Sequence, residues 1–434
     1  MEPKFEIRDP VHGFVMLNEW ERDLIRHNVF QRLRRIRQLA WTDMIYPGGM
    51  HTRFEHTLGV MHVASLMFQN IRTRRQEFLT NVLGYDETGL GRDHQLLRLA
   101  CLCHDLGHSP FSHAGEDLLP NAPDLKRPYK HEEYSAAVVR LLLRDAIEGH
   151  PCNENFAIRA DEVADFIIGG PTLKRRLLWK SLLTGQIDAD RADYLLRDSY
   201  HIGVAYGHYD LNRLLNTLTV VLNRDAGSAV VAVERGGIHV AEALIMARYM
   251  MFTQVYFHKT RRAYDYHITE ALKFLLETES KREGQMIADA HFPPPTTVEH
   301  LNAYLSWDDW RVLGCLHRDE AGEHGAIIKN REHHRMVFET SENPNEHEQK
   351  QTQAVLKGLS EFAPLYDAAT TSWYKFEQQD IPLVIRSGGE ERVENLSSHS
   401  SLVRGLKSVN QLRVYVPLKS RDEAKPIVSQ ILKG

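Results

Sequence analysis

CHDLGHSPFSH, residues 103–113, is the stretch from which the rest of the chain is read. It closes the apolar run LLRLACLC (96–103), whose spacing predicts a buried helix, and Gly107 and Pro110 predict where that helix stops. At its end stand His104 and Asp105. Adjacent helical side chains diverge by about 100°, yet both can reach one ion held between this helix and a neighbour. A carboxylate on an apolar helix needs a cation or strong hydrogen bonds to offset its lost hydration. Taken alone, the pair fits a metal site and an ordinary helix end with a satisfied histidine equally well.

Two further segments tilt the balance. RFEHTLGV (53–60) puts His56 at the start of another amphipathic helix, and IDADRADYLLRD (187–198) supplies Asp188, Asp190 and Asp193 at the start of a third. Histidine, then histidine–aspartate, then aspartate is a mixed imidazole and carboxylate set suited to Mn, Fe, Co, Zn or Mg. Asp188 also reads as a helix cap and Asp193 as a structural acid.

Around these segments the pattern is helical. Leu24, Ile25, Phe30, Leu33, Ile36 and Leu39 recur at helical steps and predict one amphipathic helix over 19–39; similar stretches cover 55–80, 93–106, 131–149, 160–168, 174–183, 190–199 and 237–282. Residues 1–20 read as an extended arm with a small strand at FVML. TLTVVLNRDAGSAVVAVERGG (217–237) reads as a hairpin turning at Asp225, Ala226 and Gly227. After HFPPPTT and through the polar run TSENPNEHEQKQTQ the texture loosens; QLRVYVPL predicts a strand, RDEAKPIVSQIL a helix upon it, and ENLSSHSSLV a surface loop. The expectation is a mainly α protein: a helical core over 1–285 with a small β-hairpin insertion, and a small α+β C-terminal lobe over 286–434.

Composition agrees with a folded enzyme. Of 434 residues, 42% are hydrophobic and 26% charged, so neither disorder nor a fibrous repeat is indicated. A net charge of −5 argues against nucleic-acid coating by overall charge. Four cysteines make no disulfide framework, and no long uncharged apolar stretch appears, so the expected setting is cytoplasmic, without membrane partners. Histidine, a common neutral metal ligand, is abundant at 24 residues.

In order and surroundings these motifs resemble the HD phosphohydrolase superfamily, and within it the deoxynucleoside triphosphate triphosphohydrolases, above all the vertebrate members that join a SAM domain to the HD domain. DPVHG (9–13), FQRLRRIRQL (30–39), HTRFEHTLGV (51–60), HDLGHSPFSH (104–113), YKHEEYS (129–135), DADRADYLLRD (188–198) and ARYMMFTQVYFHK (247–259) carry the likeness, over about two thirds of the chain. No SAM domain is expected ahead of DPVHG. The resemblance implies His56, His104, Asp105 and Asp190 as ligands of a divalent metal. It implies His108, His113 and His131, with Glu116 as their acidic partner, as catalytic. It implies Arg53, Arg191, Arg248 and Lys259 around a triphosphate, with Gln38, Leu39, Tyr194, Asp198 and Tyr256 on the sugar side. The implied reaction is attack on the α-phosphorus with release of intact triphosphate from deoxynucleoside triphosphates.

Departures are equally readable. Phe252 stands where the family has a histidine, and Glu116 is one carbon longer than its counterpart. Arg26 replaces an aspartate that accepts from guanine at an activator site between subunits; a guanidinium has only donors and cannot substitute. Arg34 keeps one matching cation and Asp23 is a nearby alternative acceptor. The resulting expectation is a homo-oligomer, dimer or tetramer, with an effector nucleotide possible but GTP not obligatory. The alternatives are a phosphomonoesterase or phosphodiesterase built on the same centre, and a nucleotide-sensing or nucleic-acid-binding regulator using the basic segments RLRRIR (32–37) or KRR (174–176).

Overall fold

The structure is a computed structural model that describes residues 4–223, 228–282, 290–371, 380–387 and 390–433. The chain is mainly α-helical. It opens with an antiparallel hairpin, β1 (Phe5–Asp9) and β2 (Gly13–Leu17), and FVML lies in β2. The expected 19–39 helix is broken: α1 (Glu19–Arg26) ends at His27, whose extended backbone (φ −63°, ψ 139°) starts α2 (Asn28–Gln31), and a 3₁₀ turn follows at Arg32–Arg35. Its apolar positions are nonetheless buried, Phe30, Leu33 and Ile36 completely. The periodicity recorded burial, while the His27 ring, accepting from the Val29 N–H, ends one helix and caps the next.

The centre is α3 (Arg53–Arg74), flanked by α4 (Gln76–Asn81) and packed on α5 (Glu87–Cys103). Both long helices start where the chemistry of capping places them. The Glu55 carboxylate accepts from the Thr52 N–H (2.9 Å), and Asp86 accepts from the Gly89 N–H (2.6 Å). Val60, Met61, Val63, Ala64, Met67, Phe68 and Ile71 of α3, and Leu96, Leu97 and Leu99 to Cys103 of α5, are wholly buried, so both helices are core on most of their surface. Each such Leu or Ile contributes roughly 1.5–3 kcal/mol.

Around them pack α6 (His131–Leu141), α7 (Arg144–Glu148), α8 (Ala160–Ile168), α9 (Leu177–Lys180) and α10 (Ala189–Ile202); α10 stops at Gly203, which is left-handed (φ 73°). Between α4 and α6 lie the short strands β3 (Asn121–Ala122) and β4 (Arg127–Pro128). Next come α11 (Leu211–Thr217), the antiparallel hairpin β5 (Leu218–Asn223) and β6 (Ser228–Glu234), then α12 (Ile238–Met251) and α13 (Lys259–Arg282), parted by a wider π turn at Phe252–Tyr256. The expected hairpin turn at Asp225, Ala226 and Gly227 lies outside the described residues.

Three helices follow: α14 (Val298–Leu305), α15 (Asp309–His317) and α16 (Gly322–Asn330). Leu301, Tyr304, Val312 and Ile328 join the main core. A second, smaller core lies where β11 (Val409–Val416) runs antiparallel between β7 (Arg335–Glu339) and β8 (Leu365–Thr371), beneath α17 (Glu346–Gly358) and α20 (Arg421–Ile431). The strand QLRVYV and the helix upon it are as expected, but their neighbours are more ordered than the loosened texture and the surface loop read there. The polar run from 340 contains α17, opened by an Asn345–Glu348 capping box, and ENLSSHSSLV is no surface loop. After β9 (Pro382–Ser387) and β10 (Glu390–Asn395) it forms α18 (Leu396–His399) and α19 (Ser401–Gly405), with Leu396 and Val403 fully buried in the main core. β9 pairs in parallel with β6, giving a four-stranded sheet ordered β10-β9-β6-β5. Among the described residues no helix is long and apolar enough to cross a membrane.

One buried cation ties the early chain to the late one. Arg32 is 2% exposed, and its guanidinium donates to the carbonyls of Leu305 (3.1 Å), Trp307 (2.6 and 3.1 Å) and Leu106 (3.4 Å). Arg32→Ala leaves those carbonyls unpaired in a dry site and is expected to destabilise the protein by about 3 kcal/mol. Urea unfolding checks this; a loss under about 1 kcal/mol contradicts the assignment.

Candidate metal centre and adjoining cavity

Three helix ends converge. α3 delivers His56 from its first turn, α10 delivers Asp190 from its own, and the chain leaving α5 delivers His104 and Asp105. His56 Nε2 lies 3.1 Å from Asp190 Oδ1 and 3.8 Å from Asp105 Oδ2, and His104 Nε2 lies 3.3 Å from Asp105 Oδ1. The four residues expected as ligands are thus brought together, and His56, His104 and Asp190 can each offer an atom to one ion.

Hydrogen bonds orient the two rings. His104 Nδ1 meets the Cys101 carbonyl at 2.7 Å and so must carry its proton, which leaves a lone pair on Nε2. His56 Nδ1 faces Asp193 Oδ2 at 2.8 Å with the same result. Two observations fit a cation: His104 Nε2 is buried with no hydrogen-bond partner among the described residues, and the surrounding carboxylates make the site strongly attractive to positive charge. Against the penalty of burial, Asp190 and Asp193 push His56 up to about 10, so at His56 Nε2 a bound cation takes the place of a proton. Asp188 is taken as a cap, accepting from the Arg191 N–H (2.8 Å), the Gly185 N–H (2.8 Å) and the Arg191 side chain (2.7 Å).

Beside this set lies a second one. The His108 and His131 rings stack at 3.7 Å, and Glu116 spans His131 Nδ1 (2.6 Å) and the more exposed His113 Nδ1 (3.0 Å). Gly107 makes this possible: a Cβ there would lie 2.3 Å from the His131 carbonyl, so only glycine lets the start of α6 close on the turn. That turn runs through Phe111 and Ser112, both left-handed (φ 55° and 56°). Asp309 pins it, its two oxygens accepting from Phe111 N and Arg37 N at 2.8 Å each. Arg53 donates to Asp105 Oδ2 (2.5 Å) and to the Ser112 hydroxyl (2.9 Å).

The two stacked rings differ electrostatically. Burial and then the charges of Arg53 and His131 hold His108 well below its ordinary value. His131 is also buried, but Glu116 raises it to about 9. Asp105, His108 and His131 also lie close enough to share a cation. The Arg53 charge on Asp105 and the Glu116 bond to His131 Nδ1 favour proton chemistry there.

A cavity of about 560 Å³ adjoins Arg53 and His113, and Gln38, Leu39, Tyr194, Asp198 and Tyr256 also line it. Gln38 Oε1 is buried with no hydrogen-bond partner among the described residues; Leu39 is 4% exposed; Asp198 binds His51 Nε2 (2.8 Å) and the Tyr256 hydroxyl (2.5 Å). Arg191, Arg248 and Lys259 are not among its lining residues: Arg191 turns to Asp188, Arg248 lies over the Phe252 ring at 5.7 Å, and Lys259 is exposed at the start of α13. The cavity instead takes cations from Arg261 and Arg262 and acids from Asp117, Asp265 and Asp367, none of them singled out from sequence. The doubled arginine after His258-Lys259 was the available signal. His12 and His51, which hold Asp193 and Asp198, were missed for the same reason: their partners lie far along the chain. A second cavity, about 680 Å³ between α9, β6 and Ile381–Pro382, is lined by Lys174 and Arg175 of the KRR segment and by none of the residues expected around metal or substrate.

Residues 53–198 match the HD domain family and residues 209–291 the HD associated region. The chain is 35% identical over 266 residues to an uncharacterised protein of Methanocaldococcus jannaschii, covering 61% of this chain and 49% of that one. It is 28% identical over 363 residues to the deoxynucleoside triphosphate triphosphohydrolase SAMHD1 of Danio rerio, covering 76% and 54%. The chain spans about half the length of these curated relatives. The crystal structure of a hypothetical protein from Aquifex aeolicus is similar with a TM-score of 0.75 at 27% identity, covering 98% of this chain and 99% of that one.

Because the folded value of His131 lies above the ordinary 6.5, the contribution of its pair with Glu116 to stability is complete below about pH 6.5 and lost as pH rises through about 9. Glu116→Gln is expected to return the His131 titration, followed by NMR, to 6.5 or below and to abolish that alkaline loss. A titration unmoved from about 9 contradicts the role given to Glu116.

Proposed function

We propose that this chain, whose residues 53–198 match the HD domain family, is a phosphohydrolase that cleaves deoxynucleoside triphosphates to deoxynucleoside and inorganic triphosphate. The observation that carries this reading is one cavity walled by Gln38, Leu39, Tyr256, Arg53 and His113, with Arg53 bonded to Asp105 of the His56, His104, Asp105 and Asp190 set and His113 sharing Glu116 with His131 of the stacked pair. The similarity to a triphosphohydrolase supports the substrate class.

His56, His104, Asp105 and Asp190 would hold a divalent ion, which when bound would supply Lewis acidity and water activation. The remaining work falls to the chain itself. Arg53, fixed between Asp105 and Ser112, presents a guanidinium suited to a phosphate oxygen. His131 keeps one proton on Nδ1 toward Glu116, and when doubly protonated has a second on Nε2 to give the departing 5′-oxygen. His108, held neutral, offers a hydrogen-bonding ring without competing for that proton. His113 stands at the cavity edge as a phosphate contact. Gln38 Oε1 can accept from the sugar 3′-hydroxyl, and Leu39 crowds the 2′ position, which favours deoxyribose.

Incubating metal-reconstituted protein with each dNTP and NTP, with chromatography of products, is expected to yield inorganic triphosphate from dNTPs. Orthophosphate from nucleoside monophosphates would establish the phosphomonoesterase instead. Replacing His104 and Asp105 together by Ala is expected to remove turnover and bound metal. The assay is run with and without GTP: Arg26 is exposed, 3.8 Å from Asp23, and turnover without GTP is expected.

Leu39→Gly is expected to raise activity on ribonucleotides relative to deoxyribonucleotides by about tenfold, about 1.4 kcal/mol of relative barrier. An unchanged ratio would assign Leu39 to the core alone.

A further inference from the structure

DPVHG, the turn of the amino-terminal hairpin, takes no part in the chemistry described so far, yet it reaches the metal centre through one buried carboxylate. Asp9 shapes the turn: its Oδ1 accepts from the Val11 and His12 N–H groups (2.9 and 2.8 Å), and its Oδ2 accepts from Arg197 (2.8 Å). Gly13 completes the bend with φ 81°. The His12 ring is thereby laid against α10, with Nε2 2.7 Å from Asp193 Oδ1 and only 4% of its side chain exposed.

Asp193 is completely buried and fully occupied. Oδ1 takes His12 and one Arg197 nitrogen (2.8 Å); Oδ2 takes the Arg197 Nε (2.9 Å) and His56 Nδ1 (2.8 Å). Four bonds from three directions leave the carboxylate one orientation, and through it the His56 ring has one orientation too. Gly59 makes the approach possible: a Cβ there would lie 1.8 Å from Asp193 Oδ1 and 2.4 Å from Arg197, so a larger residue three positions after His56 would drive α10 off α3.

We infer that His12 is a positioning residue of the metal centre, which acts through Asp193 to fix the proton of His56 on Nδ1 and aim its Nε2 lone pair at the ion. This rests on the metal-binding reading of His56 and not on the identity of the substrate. Partners of a ligand histidine typically change metal affinity by 10–100-fold.

The test is the affinity of full-length protein for Mn²⁺ alone, measured by chelator competition without nucleotide, with the melting temperature taken in parallel. His12→Ala and His12→Asn are expected to weaken binding by about 10–100-fold. His12→Gln, whose amide N–H can reach Asp193, is expected to restore most of it. Phe14→Ala, on the exposed face of the same hairpin, is expected to leave it unchanged. If His12→Ala does not fold, the contrast between Asn and Gln decides. Equal affinity in all variants, or equal loss in Asn and Gln, would overturn the inference. Unaltered Mn²⁺ binding by the parent protein with no dNTP turnover would instead count against the proposed substrate alone.

Discussion

Asp193 and Arg197 form an ion pair with no solvent exposure on either side chain. An isolated carboxylate in such a place would be strongly disfavoured, and so would an isolated guanidinium. Each is therefore committed to the other, and the surplus hydrogen-bonding capacity of the pair is spread over three separate elements: the hairpin turn through Asp9 and His12, α3 through His56, and α10 itself. Packing of α3, α10 and the hairpin cannot relax independently without leaving a buried charge exposed to nothing. That constraint places His56 opposite Asp190, and the rest of the centre is arranged around that placement.

The same logic differentiates the two stacked imidazoles. Burial alone would depress both His108 and His131, of which His108 is the more enclosed, with 2% of its side chain exposed against 17%. What separates them is which charge each one faces. Arg53 and His131 reinforce the effect on His108, whereas Glu116 reverses it for His131. Two histidines 3.7 Å apart thus acquire opposite protonation preferences, which is the condition for one of a pair to hold a proton that the other does not contest. Lengthening the acid by one carbon, as Glu116 does, still lets it span His113 and His131.

What the sequence made legible was local. Apolar periodicity located the buried faces even where it misjudged the backbone, as over 19–39, where Leu33 and Ile36 are core although no continuous helix carries them. The Asn345–Glu348 box was present in the letters and was obscured only by the polarity of its neighbours. Metal-capable side chains stood at helix starts and stops that capping chemistry announces. What stayed hidden was long-range. Nothing near Phe111 in sequence foretells that Asp309 holds its backbone, and nothing near Asp198 foretells His51 as its partner. The cations were legible only in part for the same reason: that Arg191 donates to Asp188 is local, while Arg261 and Arg262 gain meaning only from the elements that fold over them.

Those elements come from the far end of the chain. Arg262 on α13 meets Asp367 on β8, one nitrogen 3.2 Å from both carboxylate oxygens, with Asp367 itself buried. Leu365 and Tyr366, from the same strand, line the cavity beside Phe257. The wall opposite the metal centre is therefore partly a strand held in place by β11, whose own Tyr415 hydroxyl donates to the Lys259 carbonyl at the start of α13. A centre built from helix ends in the first two hundred residues has its cavity walled in part by a strand from beyond residue 360. The chemistry and the shape of the space it acts on are thus set by separate parts of the chain, joined by the Arg262–Asp367 ion pair at α13 and by the Arg37 and Phe111 backbone N–H groups donating to Asp309 of α15. Loosening the second core should change what the cavity admits before it changes what the metal centre can do.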